Sequence, residues 1–289
     1  MELTQQRSFL PDAGGLPEDA TLTEMLAGPP SRAVELPAAV KALARGRPVR
    51  AVWENGLGGL TFEVGGPELF FVKWAPTSSG LGLGAEAARL SWAVGFTHVP
   101  RVLEQGSDEA GSWLVTSAIP GETAVSERWR AEPELAVKAI GEGLRAFHES
   151  LPVELCPFSW SAEERVMEAK RRAASAEMDP SRWHPEHRAL SVDEALELAA
   201  VIPPIDRLVV CHGDACAPNT LLTGDGLWSG HVDLGALGTG DRWADLSVAT
   251  WSTEWNYGPG WEESLLAAYG VEPDVHRTRF YRLLWDLGP

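Results

Sequence analysis

The chain has 289 residues, enough for two domains or one large one, and its 44% hydrophobic content supports a sizeable buried core rather than wholesale disorder. Its 24 basic and 41 acidic residues leave a formal charge of -17, a field that repels DNA, RNA and anionic membranes and that serves either solubility or a polycationic partner. No run approaches the ~18 apolar residues of a membrane span, the N-terminus lacks a basic stretch followed by an apolar one, and the sparse Cys156, Cys211 and Cys216 make no disulfide framework, so the chain reads as cytosolic with small buried thiols.

Residues 1–34, containing "DAGG" and "AGPPS", read as an extension with short helical pieces. Residues 35–46 predict a helix stopped by Gly46. From residue 49 the texture changes. "VRAVWENGLGGLTFEVGGPELFFVKWAP" is rich in β-branched and aromatic residues and punctuated by glycine, which predicts two or three antiparallel strands. A helix follows over 84–94, then two more strands within 98–121 around a Gly/Asp turn, ending at Pro120-Gly121. Beyond that point apolar residues recur every three or four positions in 133–151, 161–176 and 192–202, the period of helices packed on one face. The expected class is therefore α+β, strand-rich first and helix-rich second, joined near residues 117–121.

The segment "VVCHGDACAPNTLLTGDGLWSGHVDLG", residues 209–235, carries the chemistry. Asp225-Gly226 is a two-residue hairpin signal of the type I′ kind, which needs positive φ at both positions. Folding about it sets Asn219 opposite Val232, beside Asp233. Opposed side chains on such a ladder have Cβ atoms only ~4.5–5.5 Å apart. A carboxamide and a carboxylate thus meet at the open end of the hairpin, with Asp214 in the entering loop. Hard oxygen ligands of this kind suit Mg²⁺, which takes one or two carboxylates and completes its shell with water and phosphate. Asp and Asn are also common turn and cap residues, so "HGD" alone is weak; the ordered set Asp, Asn, hairpin, "DLG" is far more specific.

That set resembles the catalytic loop and metal-binding motif of protein-kinase-like enzymes, in which the first Asp orients the attacking hydroxyl while the Asn and second Asp hold Mg²⁺ on the nucleotide phosphates. Upstream, "NGLGGLTFEV" is a glycine-containing strand-turn-strand, though Thr61 stands where a third glycine would be. Lys73 lies inside the apolar strand "LFFVKWAP", and a buried lysine needs a partner. Glu86, on the next helix, is within reach; alternation along the strand leaves open whether Lys73 faces inward.

"VVCHGDACAPNTLL", "HVDLGALGTGDRWADL", "SWLVTSAIPG", "LPVELCPF" and "RFYRLLWDL" together resemble the aminoglycoside O-phosphotransferases, within them the branch modifying the 3'-hydroxyl of kanamycin-type drugs or the 3''-hydroxyl of streptomycin. The resemblance runs from about residue 50 to the end. It implies a two-lobed protein-kinase-like fold: a nucleotide-binding lobe over 35–116, a hinge at 117–121 and a helical lobe over 122–289. It implies ATP as phosphate donor, Mg²⁺, and a cationic aminoglycoside as partner. Asp214 becomes the catalytic carboxylate, and Asn219 and Asp233 the magnesium ligands. Lys73, held by Glu86, contacts the α- and β-phosphates, and the backbone of Ser117, Ala118 and Ile119 bonds adenine. His212 braces the loop, and Asp245 is either a brace beneath it or an ordinary early-helix acid. Acids that would orient the drug are Glu254, Glu262, Glu263 and Asp286. Two departures from relatives, Ala236 after "DLG" and an ending "LLWDLGP" in place of a "DEFF"-like tail, favour streptomycin over kanamycin. A kinase acting on a small metabolite would carry the same motifs. A non-catalytic nucleotide-binding module is disfavoured, because all four of Lys73, Asp214, Asn219 and Asp233 are present.

Overall fold

Alternating apolar residues and glycine breaks build the first lobe around one antiparallel sheet. Its elements are β1 (Ala27–Gly28), α1 (Ala38–Ala44), β2 (Val49–Asn55), β3 (Leu60–Val64), β4 (Phe70–Pro76), α2 (Leu83–Ala93), β5 (Val102–Ser107) and β6 (Gly111–Ser117). Strand order is β1-β2-β3-β4-β6-β5. The computed structural model describes residues 27–288, so residues 1–26 of the expected extension lie outside the described residues. Asn55 shapes the β2–β3 glycine turn: its Oδ1 accepts from Leu57 N at 3.0 Å and Gly59 N at 2.8 Å. Lys73 sits on β4, between Thr61 of β3 and Leu114 of β6.

The helical lobe adds β7 (Glu122–Thr123), α3 (Glu127–Ala131), α4 (Pro133–Ser150), α5 (Ala162–Ala174) and α6 (Val192–Ala199). It continues with β8 (Leu208–Cys211), β9 (Thr220–Leu222), β10 (Trp228–His231), β11 (Gly238–Asp241), α7 (Trp243–Tyr257), α8 (Glu262–Tyr269) and α9 (Val275–Asp286). The helices expected at 133–151, 161–176 and 192–202 are present within a few residues at each end. Helix α7 has no amphipathic period to read, because 12 of its 15 residues are buried; a helix enclosed on all sides shows no polar face.

Three apolar clusters divide the core. One fills the sheet lobe around Phe62 and Val72, and the largest fills the helical lobe around Trp129, Trp243 and Tyr281. The third bridges the lobes, joining Ala87, Leu90 and Ala93 of α2 to Phe147, Val210, Leu234 and Leu237. Close backbone approach adds to this seam. His231 N donates to His98 O at 3.1 Å, and a Cβ on Gly230 would stand 2.6 Å from that same carbonyl, so only glycine fits there.

The hairpin between β9 and β10 corrects the expected turn. Thr223 N donates to Leu227 O at 2.8 Å around a three-residue loop, and of the loop residues only Gly226 has positive φ, 80°. Asp225 is therefore not in a type I′ position. The longer loop shifts the register by one, and a bulge between Trp228 and Gly230 shifts it back. The two shifts cancel, and Val232 N donates to Asn219 O at 3.0 Å, the opposition expected from the sequence.

Candidate active site

The loop from β8 to β9 is held from below by Asp245 in the first turn of α7. One carboxylate oxygen accepts from His212 N at 2.6 Å and the other from Gly213 N at 2.9 Å. The first also accepts from His148 Nε2 at 2.9 Å, and His148 Nδ1 lies 2.8 Å from the Tyr269 hydroxyl. Burial pushes the Tyr269 hydroxyl up to about 12. Asp245 is thus a brace, one of the two readings open from sequence. Burial alone would raise its carboxyl, but the His148 hydrogen bond and nearby His212 hold it below the usual range. Gly213, with φ 84°, is required at its place: a Cβ would meet the Ala236 carbonyl at 2.3 Å. His212 ties the loop's two sides. Its Nδ1 accepts from Asp214 N at 3.2 Å and its Nε2 donates to Val232 O at 2.9 Å, which fixes the tautomer.

Above this brace stands Asp214. Its Oδ2 and its carbonyl each accept from Asn219 Nδ2 at 3.0 Å. Its Oδ1 is buried and meets no N–H or O–H donor among the described residues; the weakly donating Cys216 thiol lies near the carboxylate and partly offsets the rise caused by burial. A buried carboxylate oxygen without such a donor is costly unless a ligand meets it. Burial raises the Asp214 carboxyl, and the nearby Asp233 charge raises it further.

The third part joins both lobes. Lys73 Nζ lies 2.7 and 2.9 Å from the Glu86 oxygens and 2.8 Å from Asp233 Oδ1. The side chain faces inward, settling the question left by strand alternation. Burial works against the Lys73 charge, but Asp233 and Glu86 outweigh it and hold the ammonium well above its ordinary value. Asp233 takes a left-handed conformation, φ 64°, uncommon outside glycine and held here by its surroundings. Among the described residues no three His, Cys, Asp or Glu side chains gather as a metal cage. The hard-oxygen pair present, the Asp233 carboxylate with the Asn219 carboxamide, fits Mg²⁺ shared with phosphate and water.

The connecting segment is narrower than expected for nucleotide contact. Ser117 N donates to Arg101 O at 2.9 Å and Ser117 Oγ accepts from Arg101 N at 3.0 Å, so Ser117 is committed to the sheet. Among the described residues no backbone bond engages Ala118 or Ile119.

Of the acids expected to bind an acceptor, Glu254 lies on α7, Glu262 and Glu263 on α8 and Asp286 on α9. Asp245, Ser252 and Asn256, seven and four residues apart, share the face toward the loop, where Ser252 Oγ accepts from Ala217 N at 2.8 Å. The adjoining face carries Trp251 and Trp255, whose rings lie 4.2 and 6.4 Å from that of His184. The charge of exposed Glu254 acts on His184 as well. Asp286 is no free surface acid: its carboxylate bonds His187 Nδ1 at 2.6 Å and accepts from His184 N at 3.2 Å. Glu262 pairs with Arg282 at 2.9 Å, and Glu263 is exposed at the start of α8. Sequence reading missed His184, His187 and His148, whose partners lie far away along the chain.

A glycine-turned sheet lobe over a helical lobe, with a Lys–Glu pair above an Asp/Asn/Asp loop, defines a kinase-like phosphotransferase. The profile of the phosphotransferase enzyme family (APH) matches residues 52–281, and the chain belongs to that family. It is 38% identical over 253 residues to an aminoglycoside 3'-phosphotransferase of Streptomyces fradiae, covering 81% of this chain and 92% of the relative. It is 34% identical over 228 residues to the streptomycin 3''-kinase of Streptomyces griseus, covering 73% and 82%. The structure of aminoglycoside phosphotransferase APH(3'')-Id from Streptomyces rimosus superposes with a TM-score of 0.70 at 30% identity, covering 86% of this chain and 94% of that one; its complex with ADP and streptomycin gives 0.64. No helix among the described residues is long and apolar enough to cross a membrane.

Proposed function

We propose that the chain transfers the γ-phosphoryl group of ATP to a hydroxyl of an aminoglycoside. The observation that carries this reading is the buried Asp214 Oδ1 within the field of Asp233, which pairs with Lys73 as Lys73 pairs with Glu86. Asp214 orients the acceptor hydroxyl and takes its proton. Lys73, positioned by Glu86, holds phosphate oxygens, and the free backbone at Ala118 and Ile119 receives adenine. Asn219 and Asp233 would hold Mg²⁺, which when bound neutralises phosphate charge. Glu254 and Glu263 supply acceptor-side negative charge, with Asp286 acting through its histidines. Streptomycin, at its 3''-hydroxyl, is the first acceptor: Ala236 after "DLG" and the 34% identity to a streptomycin 3''-kinase favour it. The 38% identity to a 3'-phosphotransferase favours the 3'-hydroxyl of kanamycin-type drugs as the second. The test is ATP-dependent turnover of streptomycin, kanamycin, neomycin and hygromycin, with product regiochemistry by NMR. Turnover of a small amino alcohol or sugar, with every aminoglycoside untouched, would replace the acceptor class.

Two further outcomes are expected. Asp233→Ala removes an anionic ligand and should abolish measurable Mg·ATP binding, whereas Asn219→Ala, losing a neutral ligand, should weaken it less; titration calorimetry compares them. The -17 field should steer a cationic acceptor. Acceptor kcat/KM should therefore fall with salt as the Debye length shrinks from ~10 Å at 0.1 M to ~3 Å at 1 M. KM for ATP, an anion, should not rise in parallel; a salt-independent acceptor kcat/KM would rule steering out.

A further inference from the structure

The helix that supplies Glu86 is pinned to the helical lobe along its flank. Arg89 lies three residues after Glu86, and its Nε donates to Leu237 O at 2.8 Å. Its guanidinium carbon stands 4.8 Å from the Phe158 ring centroid, over the face of the ring. A turn further on, Trp92 Nε1 donates to Leu155 O at 3.2 Å, and its ring meets Phe158 edge-on at 6.3 Å. Leu237 closes the turn that follows Asp233. Its N–H donates to Leu234 O at 3.1 Å, and both leucines are fully buried.

These contacts form a ring. Glu86 bonds Lys73, Lys73 bonds Asp233, the turn after Asp233 ends at Leu237, and Leu237 receives Arg89, one helical turn from Glu86. The Lys73–Asp233 bond is the link that phosphate competes for, since the same ammonium would serve nucleotide oxygens. The Arg89–Leu237 bond does not involve Lys73, so that exchange removes neither its donor nor its acceptor. Asp233 also holds a left-handed backbone conformation, which lasts only where neighbouring structure enforces it.

We infer that Arg89 is a positioning residue for phosphoryl transfer: it keeps the Asp233 turn in register with the Glu86 helix once Lys73 exchanges Asp233 for nucleotide phosphate. The inference rests on the phosphotransferase reading of Lys73 and Asp233. Arginine suits the task because its plane stacks on Phe158 while its edge donates to Leu237. A lysine offers a single flexible ammonium and cannot do both.

The test compares Arg89→Met, Arg89→Lys and Phe158→Leu with wild type. Mg·ADP affinity is measured by calorimetry, KM for ATP and acceptor separately, and Tm on the free protein. Arg89→Met should weaken Mg·ADP binding and raise KM for ATP about tenfold, the upper range for one net hydrogen bond. Acceptor KM should stay within about twofold. Arg89→Lys should not restore nucleotide affinity, and it carries the test if the methionine variant fails to fold. Phe158→Leu, which keeps the Nε bond, should cost Mg·ADP affinity less than about threefold. Wild-type Mg·ADP affinity in the arginine variants would overturn the inference. So would equal losses of affinity and Tm in Arg89→Met and Phe158→Leu, the signature of ordinary packing between lobes. A wild-type protein that neither binds Mg·ADP nor turns over any acceptor would instead overturn the proposed function.

Discussion

Asp214→Asn is expected to lower kcat by about 100-fold or more, the range for a positioned acid–base group, while Mg·ATP affinity changes little. The side chain keeps its size, so the loop held by Asp245 and His212 is undisturbed. What changes is chemistry. In the wild-type protein Oδ2 is engaged by Asn219 Nδ2 and Oδ1 is buried and meets no N–H or O–H donor, a single acceptor position ready for a hydroxyl proton. An amide has no charge and takes no proton. It also forces a choice, because one of its two ends must present N–H either to the Asn219 donor or to the incoming hydroxyl. Lys73, Glu86 and Asp233 form no hydrogen bond with Asp214, which is why nucleotide affinity is spared. Steady-state kinetics and Mg·ADP calorimetry on one variant preparation test both halves; near-normal kcat would remove Asp214 from the central role.

The site was legible in sequence where local rules govern it. Asn219 opposite Val232 follows from hairpin pairing, and it survives although the turn type was misread, because the longer loop and the bulge after Trp228 shift the register in opposite senses. Lys73 with Glu86 was legible as a cost: an ammonium in an apolar strand demands a nearby acid. That Asp233 is the second partner of Lys73 was not, since no local rule measures a distance across 160 positions. Helix α7 was foreshadowed only at its start, where Asp245 could be an early-helix acid; burial on all sides left its faces without a period to read. With them were hidden the Ser252 contact to the loop and the His184 contacts to Trp251 and Trp255. Asp286 was legible as an acid that would orient a drug, but its partners were not: His184 and His187, about 100 positions away, hold its carboxylate.

Asp245→Ala should produce the largest loss of stability among these substitutions, about 3–5 kcal/mol, because each buried donor left unsatisfied costs ~1–3 kcal/mol. The side chain is fully buried and accepts from His212 N, Gly213 N and His148 Nε2. Alanine leaves all three donors without a partner and opens the turn beneath Asp214. At ~2–4 °C per kcal/mol for a domain of about this size, Tm should fall by about 10 °C. Folded enzyme that survives should show reduced kcat with KM for ATP nearly unchanged, because Lys73, Glu86 and Asp233 make no bond to Asp245. The pH dependence has a definite sign. Burial pushes the Asp245 carboxyl up, but the His148 bond and the His212 environment hold its folded value below the ordinary one, ~3.9. A carboxyl depressed on folding contributes fully above its unfolded value and loses that contribution as pH falls through the folded one. The stability gap between wild type and Asp245→Ala should therefore be flat near neutrality and narrow below about pH 4. Urea unfolding across that range measures it. Equal stability at pH 7 would mean that α7 supports the loop by packing alone, and a gap that widened on acidification would mean that the carboxyl is protonated in the fold.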